Sequence, residues 1–249
     1  MAKAKKNILK KKTQTQSIEE SYSSSHPTSS SKTEEGTIYD AERMVVYSDA
    51  VFAIALTLMA LEIKIPHLHD LGSGSLLQAL LAKWPDYLSF VISFLIISVV
   101  WTNHHTIFKY VKKTDHTLIM LNSFLMLNIS FIPFCSALLG EYSAQGGENA
   151  TLASLIYGAW ITLGGIPFNL VWRYGVGNPR LRDPNADLEE IRAISGHYIK
   201  GPIFYAIVTA LAFVNVWLSL AGFVFLILFF LIPASWVFKF KEKKVESKG

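Results

Sequence analysis

The sequence predicts an all-α membrane protein with six transmembrane helices, and three observations predict it. Six apolar segments succeed one another between residues 43 and 238, several at or near the roughly 20 residues that cross a bilayer. Of the 249 residues, 51% are hydrophobic and only 17% charged, against about 25% charged in an ordinary soluble domain. Finally, 21 of the 23 lysines and arginines fall in the two tails and in alternate links, so six spans gather them on one side of a membrane.

The elements follow in order. Residues 1–37 form a basic, serine-rich tail whose apolar content is too low to offset ordering, and it is expected to be disordered. Its lysines are not followed by an apolar core, so no cleavable signal peptide is expected. A six-helix transmembrane domain covers 38–240, with spans near 43–65, 84–108, 116–139, 151–172, 202–218 and 220–238. Helices suit these long runs because backbone in lipid must satisfy its own hydrogen bonds. Asn215, Trp217, Ser219 and Gly222 divide the last apolar stretch into two spans by a tight turn. Gly164, Gly165 and Pro167 predict a kink in the fourth. The link before the fifth span holds a short interfacial helix near 185–198, with Asp183 or Asn185 at its start. Residues 241–249 form a basic tail. The positive-inside rule makes the basic side cytoplasmic, with both termini there. Most tryptophans lie near span ends, as an interfacial belt requires.

This charge distribution also excludes function classes. The pI near 9.0 is accounted for by topology, so no nucleic-acid partner is implied. There is no G-x-S-x-G, no H-E-x-x-H and no phosphate-cradling glycine loop, so no enzyme is predicted. Cys135 is the single cysteine and cannot form an intramolecular disulfide. His67, His69 and Asp70 are spaced too loosely to mark a metal site. His104 and His105 point about 100° apart on a helix, so they do not form a zinc pair either. No metal and no cofactor are predicted.

The first span, "RMVVYSDAVFAIALTLMALEIKIP", carries an intramembrane carboxylate. At about 100° per residue, Ile54, Thr57, Leu58, Leu61 and Ile65 share one face, while Asp49 lies about 140° from Ile54. Asp49 therefore points toward neighbouring helices. It is expected to gain from a nearby helix N-terminus and to need a partner, because an intramembrane charge costs about 2.5–3.5 kcal/mol. Candidates are Arg43, Ser48, or a histidine or tryptophan of another span. The second span ends in "WTNHHTIF", which places Trp101, Asn103, His104 and His105 at the same depth as Tyr47, Ser48 and Asp49.

The R-x-x-x-Y-S-D of Arg43, Tyr47, Ser48 and Asp49 resembles the R-x-x-x-F-S-D signature of the transmembrane protein 175 family. The W-x-x-H-H-x-x-F at Trp101, His104, His105 and Phe108 is similar to that family's second-span pattern. The resemblance covers residues 40–240, with Tyr47 departing from the family's phenylalanine by a hydroxyl that needs a partner. It implies a single-repeat potassium channel that assembles as a homotetramer around a pore lined by the first span. It implies a hydrophobic gate at Ile54, further constrictions at Leu58 and Leu61, and a selectivity layer of Thr57 hydroxyls. Arg43, Tyr47, Ser48 and Asp49 would bind the first span to Trp101, Asn103 and His104. Potassium would be the permeant ion and the lipid bilayer the other partner. A prokaryotic plasma membrane is the expected location, or an endosome or lysosome in a eukaryote. The alternative is a proton-coupled secondary transporter using Asp49 and His104, although no two-half symmetry is visible.

Overall fold

The computed structural model describes residues 32–33, 36–66 and 75–231. Residues 1–31, His67, His69, Asp70 and the C-terminal tail lie outside the described residues, as does the end of the sixth expected span. The chain divides after Ile38 into two units. In the first, β1 (Lys32–Thr33) pairs antiparallel with β2 (Gly36–Thr37).

The second unit is helical. It runs from β3 (Tyr39–Asp40) through α1 (Glu42–Leu61), α2 (Leu76–Ala82) and α3 (Trp84–Tyr110). Then come β4 (Lys113–Thr114), α4 (His116–Ser143) and α5 (Gly147–Gly177). Finally come α6 (Leu188–Tyr198), α7 (Lys200–Ala210), a 3-10 turn (Leu211–Phe213) and α8 (Val216–Leu231). Among the described residues, α1, α3, α4 and α5 are long and apolar enough to cross a membrane. At 1.5 Å per residue α7 rises only about 17 Å, short of a bilayer core.

Several boundaries differ from expectation, each for a local reason. The first helix ends at Leu61, so Ile65 lies beyond the helix whose face it was expected to share. It also begins at Glu42, which makes Asp49 its eighth residue, past the turn over which the macrodipole acts. The last turn comes earlier than 218–220. Asn215 starts α8, its side-chain oxygen accepting from the backbone N–H groups of Trp217 (2.8 Å) and Leu218 (3.2 Å). Ser219 and Gly222 look like helix breakers but serve packing inside α8. Ser219 donates to the Val208 carbonyl (2.9 Å), and the missing Cβ of Gly222 makes room for Val208. The link helix is capped by Asp187, which accepts from Glu189 N–H, while Asp183 and Asn185 close a turn ahead of it. The α2 helix was not expected. Ser75 and Gln78 form a reciprocal capping box at its start.

The core gathers around α3, α4 and α5, with Phe52 and Met59 of α1 and Phe223 of α8 closing it. Polar cross-links pin these helices within it. Tyr157 and Ser93 share a bond of 2.9 Å, Ser93 donates to Ser136 (3.0 Å), and Ser136 donates to the Ser89 carbonyl (3.1 Å). Asn128 and Trp160 exchange two bonds, each side chain donating to the other's backbone carbonyl at 3.1 and 3.0 Å. α1 has no side-chain cap. Its entry is held by β3 pairing with β4 and by the Ala41 N–H on the Lys112 carbonyl (3.1 Å).

Candidate functional site

Two faces of α1 differ sharply. Met44, Ser48, Phe52, Ala55 and Met59 recur every three or four residues and are buried. The opposite face is exposed: Ile54 is 57% exposed, Leu58 44% and Leu61 77%, with Thr57 exposed among them. The Thr57 hydroxyl donates to the Ile54 carbonyl (2.9 Å). Its single proton is thereby committed to the backbone, and its oxygen lone pairs are left to face outward.

The buried face is held by a polar cluster across three helices. Ser48 Oγ donates to the Met44 carbonyl (2.8 Å), so it can only accept from its other neighbour. That neighbour is Asn122 of α4, whose Nδ2 donates at 2.8 Å. With its amide nitrogen so directed, Asn122 presents Oδ1 to His104 Nε2 at 2.9 Å. His104 therefore carries its ring proton on Nε2. His104 has no exposed surface, and its Nδ1 has no hydrogen-bond partner among the described residues. The ring sits against Phe52 and Phe108, with centroids 5.3 and 4.9 Å away.

A second tie lies beside the first. Trp101 Nε1–H donates to Asp49 Oδ1 at 2.9 Å, giving the half-buried carboxylate one strong partner. Arg43 makes no ion pair with it. The other residues named from the sequence lie apart from both ties. Tyr47 is exposed, and its hydroxyl has no partner among the described residues. His105 is exposed, 6.3 Å from the Trp101 ring. Asn103 joins α3 to α6: its Nδ2 donates to the Val99 carbonyl (2.9 Å), and its own carbonyl accepts from the Tyr198 hydroxyl (3.5 Å).

Sequence reading missed Asn122, although it is the residue that joins Ser48 to His104. The available signal was an asparagine inside the apolar run "LIMLNSFLML", where a buried amide needs partners from other helices.

Comparison with known proteins fits this architecture. Residues 43–133 match the family profile described as endosomal/lysosomal potassium channel TMEM175. A potassium channel of Chamaesiphon minutus is 39% identical, over 78% of this chain and 94% of its own length. The chain belongs to the TMEM175 family. A potassium channel of Streptomyces collinus is 34% identical over 77% of this chain and 91% of its own length. The crystal structure of a lysosomal potassium-selective TMEM175 homolog from Chamaesiphon minutus superposes with a TM-score of 0.70 at 36% identity, covering 78% of this chain and 97% of that one. The segment matching the TMEM175 profile runs from Arg43 of α1 to Pro133 of α4. It contains every member of both ties: Ser48, Asp49, Trp101, His104 and Asn122.

Proposed function

We propose that this chain is one subunit of a homotetrameric, potassium-selective channel in a prokaryotic plasma membrane. The four long helices α1, α3, α4 and α5 cross the bilayer, α7 and α8 fold back together as the fifth and sixth apolar segments, both termini are cytoplasmic, and α1 lines the central pore. The observation that carries the reading is the unpartnered face of α1. A helix that buries Phe52 and Met59 while leaving Ile54, Thr57, Leu58 and Leu61 uncovered has a surface to present to further copies or to an ion path. The relatives named as potassium channels support that choice.

In this reading the Ile54 side chains of four subunits form a constriction that closes by excluding water, with Leu58 and Leu61 narrowing the path beyond it. Thr57 selects the ion. Its proton is held by the Ile54 carbonyl, so four outward-facing hydroxyl oxygens replace part of the hydration shell of a cation. Asp49 and Trp101, with Ser48, Asn122 and His104, fix α1 against α3 and α4 so that these rings keep their register. A transporter using Asp49 and His104 as a proton relay fits less well. The two residues have different hydrogen-bond partners, Trp101 and Asn122, and no hydrogen bond joins them.

The test is ion flux from liposomes holding purified protein, with potassium inside and sodium outside. The wild type sets a potential near the potassium equilibrium value, and Thr57→Ala moves it toward zero by admitting sodium. Flux that needs a pH gradient and disappears in Asp49→Asn overturns the channel in favour of the transporter.

A further inference from the structure

One member of the first-span motif takes part in neither tie. Tyr47 is 52% exposed, and its hydroxyl has no partner among the described residues. It stands where the family signature has phenylalanine, so the packing of α1 does not call for the oxygen. Its direction is fixed by the helix. Tyr47, Ile54 and Leu61 are seven residues apart, and each step of seven turns the side chain by only about 20°. α1 contains neither proline nor glycine, the usual sources of a kink, so this bearing carries along it. Tyr47 therefore faces the way Ile54 does, more nearly than Thr57, which is about 60° away, and it lies about 10 Å nearer the N-terminal end of α1. Helical side chains all lean toward the N-terminus, which keeps the residues in this order.

Polar groups are scarce on this face. Arg43, exposed and in no ion pair among the described residues, lies one turn nearer the end. Ser48 is buried against Asn122, and Asp49 is turned to Trp101. Ala50, exposed between Tyr47 and Ile54, adds only a methyl. Between Arg43 and Thr57, roughly 21 Å apart along the axis, the Tyr47 hydroxyl is thus the one polar side-chain group that this face of α1 presents.

We propose that Tyr47 is a second determinant of conduction: its phenol hydroxyls, one from each subunit, hold the hydration shell of a potassium ion that enters from the cytoplasm, ahead of Ile54. The inference rests on the pore reading above and gives a role to a residue that reading leaves without one. A hydroxyl donates and accepts, so it bonds shell water in either orientation, and a bond through water is nearly as favourable in enthalpy as a direct one. The Arg43 charges repel the ion at the mouth, so the neutral oxygens behind them are the first side-chain acceptors it meets. They also mark the cytoplasmic limit of the water-excluding stretch that Ile54 begins.

The experiment records single-channel potassium currents in inside-out membrane patches from cells expressing the full chain, with cytoplasmic potassium varied. Tyr47→Phe removes the oxygen and keeps the ring. It unfolds in SDS like the wild type, because the hydroxyl has no partner to lose. Outward current at low cytoplasmic potassium falls about threefold, the equivalent of one weak hydrogen bond, and recovers as cytoplasmic potassium saturates the path. The reversal potential under a potassium–sodium gradient stays unchanged, since Thr57 still selects. Wild-type outward current in Tyr47→Phe overturns the proposal. So does an equal loss in both directions, which marks a change of the whole pore rather than of its cytoplasmic entry. Thr57→Ala in the same patches keeps the two readings apart. If it moves the reversal potential toward zero while Tyr47→Phe conducts like the wild type, the pore stands and the Tyr47 layer falls. If neither variant changes conduction, the pore reading falls and takes the layer with it.

Discussion

Replacing Asn122 by leucine tests how α1 is held. The substitution preserves size and removes both polar ends of a residue with almost no exposed surface. Two interhelical bonds disappear, each 2.8–2.9 Å long. Ser48 loses little, because its proton still goes to the Met44 carbonyl. His104 loses more. Its Nε2–H becomes a buried donor without an acceptor, and Nδ1 already has no partner among the described residues. Interhelical bonds in membrane proteins average about 0.6 kcal/mol and reach about 1.7. A stranded buried donor costs about 1–3 kcal/mol. The expected destabilisation is therefore about 1–3 kcal/mol, since these terms overlap. The assay is unfolding by SDS titration in mixed micelles. The decisive comparison is the double variant His104→Phe with Asn122→Leu. Phenylalanine fits the aromatic surroundings of Phe52 and Phe108, and it removes both stranded nitrogens. Exchanging both partners for apolar groups of similar shape is nearly neutral. The double variant is thus more stable than Asn122→Leu alone. If Asn122→Leu unfolds like the wild type, or the double variant is the sum of two losses, the cluster does not hold α1 as described.

Other outcomes follow from the same geometry. Trp101→Phe keeps the ring and removes the donor to Asp49, so it destabilises the fold by about 1 kcal/mol in the same SDS titration, while Asp49→Asn retains an acceptor and costs less. Gly164→Ala places a methyl on the Asn128 carboxamide, breaks the bond from its Nδ2 to the Trp160 carbonyl, and lowers the melting temperature. Asn215→Ala removes the cap of α8 and destabilises by about 1 kcal/mol, a loss that Asn215→Asp largely avoids. Ile54→Ser weakens the proposed water-excluding constriction and raises basal potassium flux from liposomes.

The parts of the fold that were legible in the sequence depend on period and composition. Spans such as Trp84–Tyr110 announce themselves by hydropathy, and the grouping of Ile54, Thr57, Leu58 and Leu61 needs only 3.6 residues per turn. The ambiguous parts were those where one residue type has two uses. Ser219 and Gly222 signal a turn in isolation, yet here they admit Val208 against α8. Ile65 continues the helical period on paper, but the helix stops four residues before it. Asn122 was illegible for a different reason. Its partners are 74 and 18 residues away in sequence, and no local pattern encodes a contact that only folding creates. The strand pairing that fixes the start of α1 is also long-range, joining Tyr39 to Thr114 through two residues on each side.

The central claim is that the uncovered face of α1 borders the ion path. It is tested most directly by placing single cysteines along α1 in a Cys135→Ser background and measuring potassium flux before and after a small, water-soluble thiol reagent. The account predicts block at Ile54, Thr57, Leu58 and Leu61 and none at Phe52, Ala55 and Met59, a pattern with the helical period. Block without that period contradicts it. So does block from the exposed α4 residues Phe124, Leu127 and Phe131 while α1 stays silent, because the path would then run along a different helix.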